Sequence, residues 1–145
     1  MLAYHVTDAS NTTSILDKGI TPFIGERSEF FGEKEPAVYA FPTLKDCDTA
    51  LSQWLGDWYN AQAEENGRDI ELVVIEFEAS SLQKRPFEVE FEVSFSERVR
   101  PELIRRIISE ADIHHYLVPG RPLPAGAGSM SKPAKAHVHG QRMGW

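Results

Sequence analysis

Cysteine is almost missing from this 145-residue chain, with Cys47 standing alone. A single cysteine excludes an intrachain disulfide and any metal centre built on several thiolates. A reducing, cytoplasmic setting is therefore the expectation. No apolar run approaches the ~20 residues that a membrane-spanning helix needs. Strand-like sequence begins within a few residues of Met1, so no signal peptide is expected. Positive charge is scarce as well: 15 Lys and Arg stand against 22 Asp and Glu, a net charge of -7. Duplex binding needs a basic face that displaces the counterions of the phosphate backbone. The first hundred residues contain no basic run, so broad nucleic-acid binding is not expected. Neither a P-loop nor a dinucleotide-fold glycine fingerprint occurs.

What remains is the composition of a globule, 41% hydrophobic and 26% charged. A chain of this length can bury one core without staples. Residues 1–118 read as a single domain. Pro, Gly, Ala and Ser dominate from Pro119 to Pro133 without hydrophobic period, and residues 119–145 read as a flexible tail.

Local pattern predicts an α+β domain. Leu2 to Val6 reads as a first strand. Thr7, Asp8 and Ser10 offer side-chain oxygens to start a helix that runs to about Lys18, before Gly19. Ala37 to Phe41 is a compact apolar strand. Thr43 and Asp46 then open a second helix to about Ala63, with Leu44, Leu51, Trp54, Leu55 and Trp58 at helical spacing. Glu71 to Glu78 has an apolar middle without alternation, which predicts burial on both faces. Phe87 to Phe95 alternates cleanly, with Glu88, Glu90, Glu92 and Ser94 on one face. Pro101 near the start of Val99–Ile104 predicts a helical turn, and Arg105 to Ser109 a last strand.

Three polar residues sit where apolar neighbours would otherwise make plain core: His5, Tyr39 and Glu92. Each has an ordinary reading. A histidine on a strand is commonly a satisfied core residue, and Val38-Tyr39-Ala40-Phe41 has core composition. Alternating carboxylates usually mark a solvated face. Three of them on one face repel, however, and nothing basic is spaced within that strand to neutralise them. Such a group would favour a developing positive charge. His114-His115 and His137-Val138-His139 lack a third ligand at metal spacing, so no metal is expected.

Taken in order, these segments resemble the ADP-ribosyltransferase superfamily in its His-Tyr-Glu branch, the diphtheria-toxin and poly-ADP-ribose-polymerase side, including small bacterial and phage members. His5-Val6-Thr7 with Ile15-Leu16-Asp17-Lys18-Gly19-Ile20-Thr21-Pro22 is similar to the opening of that branch. Gly25-Glu26-Arg27-Ser28 and Val38-Tyr39-Ala40-Phe41-Pro42-Thr43 resemble its small members. Phe91-Glu92 stands ahead of Val99-Arg100-Pro101-Glu102-Leu103-Ile104 as the catalytic Glu stands ahead of its Pro-Glu turn. Glu90 is the reserve, since Glu90-Phe91-Glu92 also looks like the Glu-x-Glu pair of arginine-modifying toxins. The resemblance implies split sheets around an NAD cleft, with two helices in the N-terminal half.

It further implies a mono-ADP-ribosyltransferase of toxin or phage effector type, with NAD+ as substrate and a macromolecular target. Glu92 would hold the nicotinamide-ribose 2′-hydroxyl, Tyr39 would stack on the nicotinamide, and His5 would hold a ribose hydroxyl. Val6 and Thr7 would line the cleft, and Arg27 with Ser28 would meet the diphosphate. One departure is Val6, where many members carry glycine, which narrows the cleft. Tyr59 is the candidate for the second tyrosine that some members use. An NAD- or ADP-ribose-binding module without turnover, and an acidic protein-interaction inhibitor, are the alternatives.

Overall fold

The computed structural model describes residues 1–22, 36–85 and 92–117. Among them the chain is an α+β domain with two antiparallel sheets. The strands are β1 (Leu2–Asp8), β2 (Val38–Ala40), β3 (Leu72–Glu78), β4 (Val93–Phe95) and β5 (Ile104–Ser109). The helices are α1 (Thr12–Lys18), α2 (Leu44–Leu51), α3 (Trp54–Asn66) and α4 (Ile113–Leu117).

β3 is the central strand of a sheet ordered β1-β3-β5. Its apolar run Leu72-Val73-Val74-Ile75 follows from that place, because both of its faces are covered. Val73, Ile75 and Phe77 join one core cluster, while Leu72 and Val74 join another. The first cluster is completed by Ile15 of α1 and by Val38, Ala40, Val93 and Phe95 of the smaller sheet. The second is completed by Leu44, Cys47 and Ala50 of α2, Leu55 and Tyr59 of α3, and Ile113 of α4. The three-stranded sheet is thus a middle layer between α2–α4 on one side and α1 with β2 and β4 on the other. The Phe77 and Phe95 rings meet edge-on at 5.8 Å and tie the two sheets together.

The small sheet is also tethered at the edge of β1. Tyr4 N–H donates to the Phe41 carbonyl at 3.0 Å, and Phe41 N–H donates to the Tyr4 carbonyl at 2.8 Å.

Local signals hold at several ends. The Thr43 hydroxyl accepts from the Asp46 N–H at 3.0 Å, a helix cap of about 1 kcal/mol. Asp8 caps a 3-10 turn, Ala9–Asn11, by accepting from the Ser10 N–H. Gly19 ends α1 at φ 81°, where a Cβ would strike the Val99 carbonyl. Ile20 then exchanges backbone hydrogen bonds with Val99. Pro101 opens a 3-10 turn, Pro101–Leu103, directly before β5.

The expectation of two helices in the N-terminal half is corrected to three among the described residues, because the second expected helix breaks. α2 ends at Leu51 and α3 restarts at Trp54, across a Gln53 at φ -128° and ψ -120°. The break lets the Leu51 carbonyl approach Gly56 so closely that no Cβ fits there. A helical period in the apolar positions survives such a break, so the pattern alone does not reveal it. The short α4 is a further addition to the expected elements. The expected strand Phe87–Phe95 is observed as β4 only over Val93–Phe95; residues 86–91, with Glu88 and Glu90, lie outside the described residues. Arg27, Ser28 and everything from Val118 onward lie outside them too.

Candidate functional site

Strand register decides which candidate side chains can act together. β2 pairs with β4 so that Tyr39 lies opposite Ser94 and Ala40 opposite Val93. Residues directly opposite one another share a face. Val93 and Ala40 turn into the first cluster, so Tyr39 and Ser94 turn the other way. Tyr39 packs against the second cluster. Glu92 precedes β4 in phase with Ser94. Alternation carried one residue beyond β4 would bring Glu92 to the face of the small sheet that Tyr39 and Ser94 share.

A third chain segment adds to that face. Arg85 N–H donates to the Ser94 carbonyl at 2.8 Å, and Ser96 N–H donates to the Gln83 carbonyl. These bonds set Lys84 opposite Phe95 and so Arg85 opposite Ser94. Tyr39, Ser94 and Arg85 form a cross-strand row with Glu92 beside it. Arg85, Glu92 and Ser94 are all buried, at 8%, 9% and 5% exposure. A guanidinium and a carboxylate at such depth are there because the surroundings satisfy them. Sequence pattern does not single out Arg85, since it comes from outside the Phe87–Phe95 strand.

His5 stands on the opposite face. It pairs with Ile75, of the first cluster, and alternates with Tyr4 and Val6, which pack toward the second. Its ring is fully buried. The link to Tyr39 runs through the main chain: His5 Nδ1 lies 2.7 Å from the Tyr39 carbonyl oxygen. A carbonyl only accepts, so Nδ1 carries the proton. Burial pushes the imidazole down from its ordinary 6.5 to about 4, with the Tyr39 carbonyl pulling weakly the other way. The ring is neutral at pH 7.

The remaining candidates fall as follows. Val6 is fully buried in the second cluster, opposite Val74. Thr7 is buried, and its hydroxyl accepts from Asn11 Nδ2 at 3.0 Å. Tyr59 is buried in α3; its hydroxyl has no hydrogen-bond partner among the described residues. Burial, then the charge of Asp8, pushes its phenol far above the ordinary range. His114 and His115 lie in α4. Among the described residues no three His, Cys, Asp or Glu are grouped to hold a metal. None of the described helices is long and apolar enough to cross a membrane.

Two further features emerge only from the folded chain. Across the three-stranded sheet Tyr4, Glu76 and Arg106 occupy one register row. Arg106 Nη2 donates to Glu76 Oε2 at 3.0 Å, and the guanidinium lies 4.3 Å from the centroid of the Tyr116 ring. Burial and the hydrogen-bonded Glu76 raise the Tyr4 phenol to about 12. The row pins α4 to the sheet. A groove at the far end of β3, lined by Ala9, Glu71, Val73, Ser109, Glu110 and His114 among others, shares no residue with the Tyr39–Glu92 face. No protein-family model, curated protein or solved structure matches this chain.

Proposed function

We propose that the chain is a mono-ADP-ribosyltransferase of the His-Tyr-Glu type, an enzyme that uses NAD+ to modify a macromolecular target. What supports this reading is the pairing of Tyr39 with Ser94, two residues after Glu92, in a chain whose segments follow the order of that superfamily. Tyr39 serves as the platform for the nicotinamide ring; offset stacking contributes about 0.5–1.5 kcal/mol beyond area burial. Glu92 accepts a hydrogen bond from the 2′-hydroxyl of the nicotinamide ribose. Its negative charge faces C1′ as the bond to nicotinamide breaks and the electron pair leaves with the ring nitrogen. A nucleophile of the target forms the new bond to C1′ and gives up its proton to solvent. In this reading the Tyr39 face of the small sheet borders the NAD+ cleft of an ADP-ribosyltransferase-like fold.

One observation favours a second reading. The His5 ring is fully buried and faces away from the Tyr39 side chain, which suits a module that binds NAD+ or ADP-ribose without turnover. One experiment separates the two. Pure protein is incubated with labelled NAD+ and a cell lysate, as wild type and as Glu92→Gln. Label transfer and nicotinamide release that vanish in the variant support the enzyme; saturable binding without release supports the module. No binding and no release by the wild type ends both.

A further inference from the structure

We propose that His5 is a positioning residue that acts through the Tyr39 main chain, its Nδ1–H fixing the carbonyl from the face opposite to the Tyr39–Glu92 pair. The inference rests on the transferase reading for the purpose of the site, but the contact itself stands on geometry. Three observations carry it. The Nδ1–carbonyl separation of 2.7 Å is a short, direct hydrogen bond. The ring is fully buried opposite Ile75, among the apolar residues of the first cluster. And β1 and β2 meet through the paired backbone hydrogen bonds of Tyr4 and Phe41, so the side chain of His5 carries that connection onward to Tyr39.

The consequence is chemical. With the proton committed to Nδ1, a neutral imidazole keeps only a lone pair at Nε2. The group that orients Tyr39 is thus an N–H at the Nδ1 position. Asparagine places its amide N–H near Nδ1, whereas glutamine places one near Nε2. Two substitutions that look equally conservative therefore separate the two possible working atoms.

The test uses full-length labelled protein. Nitrogen NMR of the wild type is expected to show His5 protonated at Nδ1, with a coupling across the hydrogen bond to the Tyr39 carbonyl. His5→Asn is expected to keep the Tyr39 and Ser94 amide resonances and their slow exchange. His5→Gln should shift them and speed exchange at the Tyr39 and Ala40 amides of β2 at least tenfold. With labelled NAD+, His5→Asn should keep turnover within about threefold of wild type, and His5→Gln should lose at least tenfold in kcat. The reverse order, or a wild-type ring protonated at Nε2, overturns the proposal. If neither variant folds, the wild-type tautomer decides. Correct tautomer and couplings in a protein that never turns over NAD+ would uphold the contact and count against the transferase reading alone.

Discussion

Glu92 and His5 are buried polar groups with opposite demands on their surroundings. In the transferase reading Glu92 has to be charged to stabilise a cation; Arg85, equally buried, reaches the same sheet through its backbone bond to Ser94. Replacing Glu92 by Gln removes the charge and keeps the shape. The expected result is a loss of about 10²–10⁴ in kcat in a variant that still melts cooperatively, read by nicotinamide release and a melting curve. His5 has to stay neutral. The unfolded chain takes up its proton near 6.5 and the folded chain near 4. The folded state therefore binds fewer protons in that window, and stability falls as pH drops from 6.5 toward 4. The full contribution is present above pH 6.5, and about 3 kcal/mol is lost by ~pH 4. Urea titrations at several pH values check this: the acid limb should flatten in His5→Asn.

Among the elements, two joints hold the layers in register. The first is the approach of the Leu51 carbonyl to Gly56. Gly→Ala inside a helix ordinarily stabilises by about 1 kcal/mol. At Gly56 the added methyl meets backbone that cannot rotate away, so Gly56→Ala should destabilise by about 1–3 kcal/mol in denaturant melts. The second joint is the Tyr4–Glu76–Arg106 row under Tyr116. Arg106→Ala strands the buried Glu76 carboxylate and should cost about 2–4 kcal/mol. Glu76→Gln together with Arg106→Met should recover part of that loss in the same melts. These joints also mark what sequence makes legible. β3 is readable because burial on both faces writes an apolar run, and Thr43 is readable because a cap acts through its own neighbours. The break before Trp54 is not, since Gly56 gains its meaning from a carbonyl it meets only after folding. Glu76 inside an apolar strand and Arg106 within β5 are visible as charges, but their pairing depends on strand order.

Across the molecule, a three-stranded sheet separates two cores, and the candidate site lies where the small sheet is tethered at the edge of β1. Tyr39 and Glu92 stand out in the sequence by their apolar settings. Nothing local says that Ser94 faces Tyr39, that Arg85 joins them, or that His5 looks the other way, because each of those facts is set by pairing between distant segments. The chain carries a net charge of -7, and NAD+ is itself an anion through its diphosphate. Overall charge therefore opposes binding, and affinity has to come from groups at the site. The decisive measurement locates the ligand. Titrating NAD+ into the isotope-labelled protein should give saturable shifts at Tyr39, Ser94, Arg85 and Glu92, weakened in Glu92→Gln. Shifts gathered instead at Glu71, Ser109 and His114, in the far groove, or no shifts at all, would contradict it.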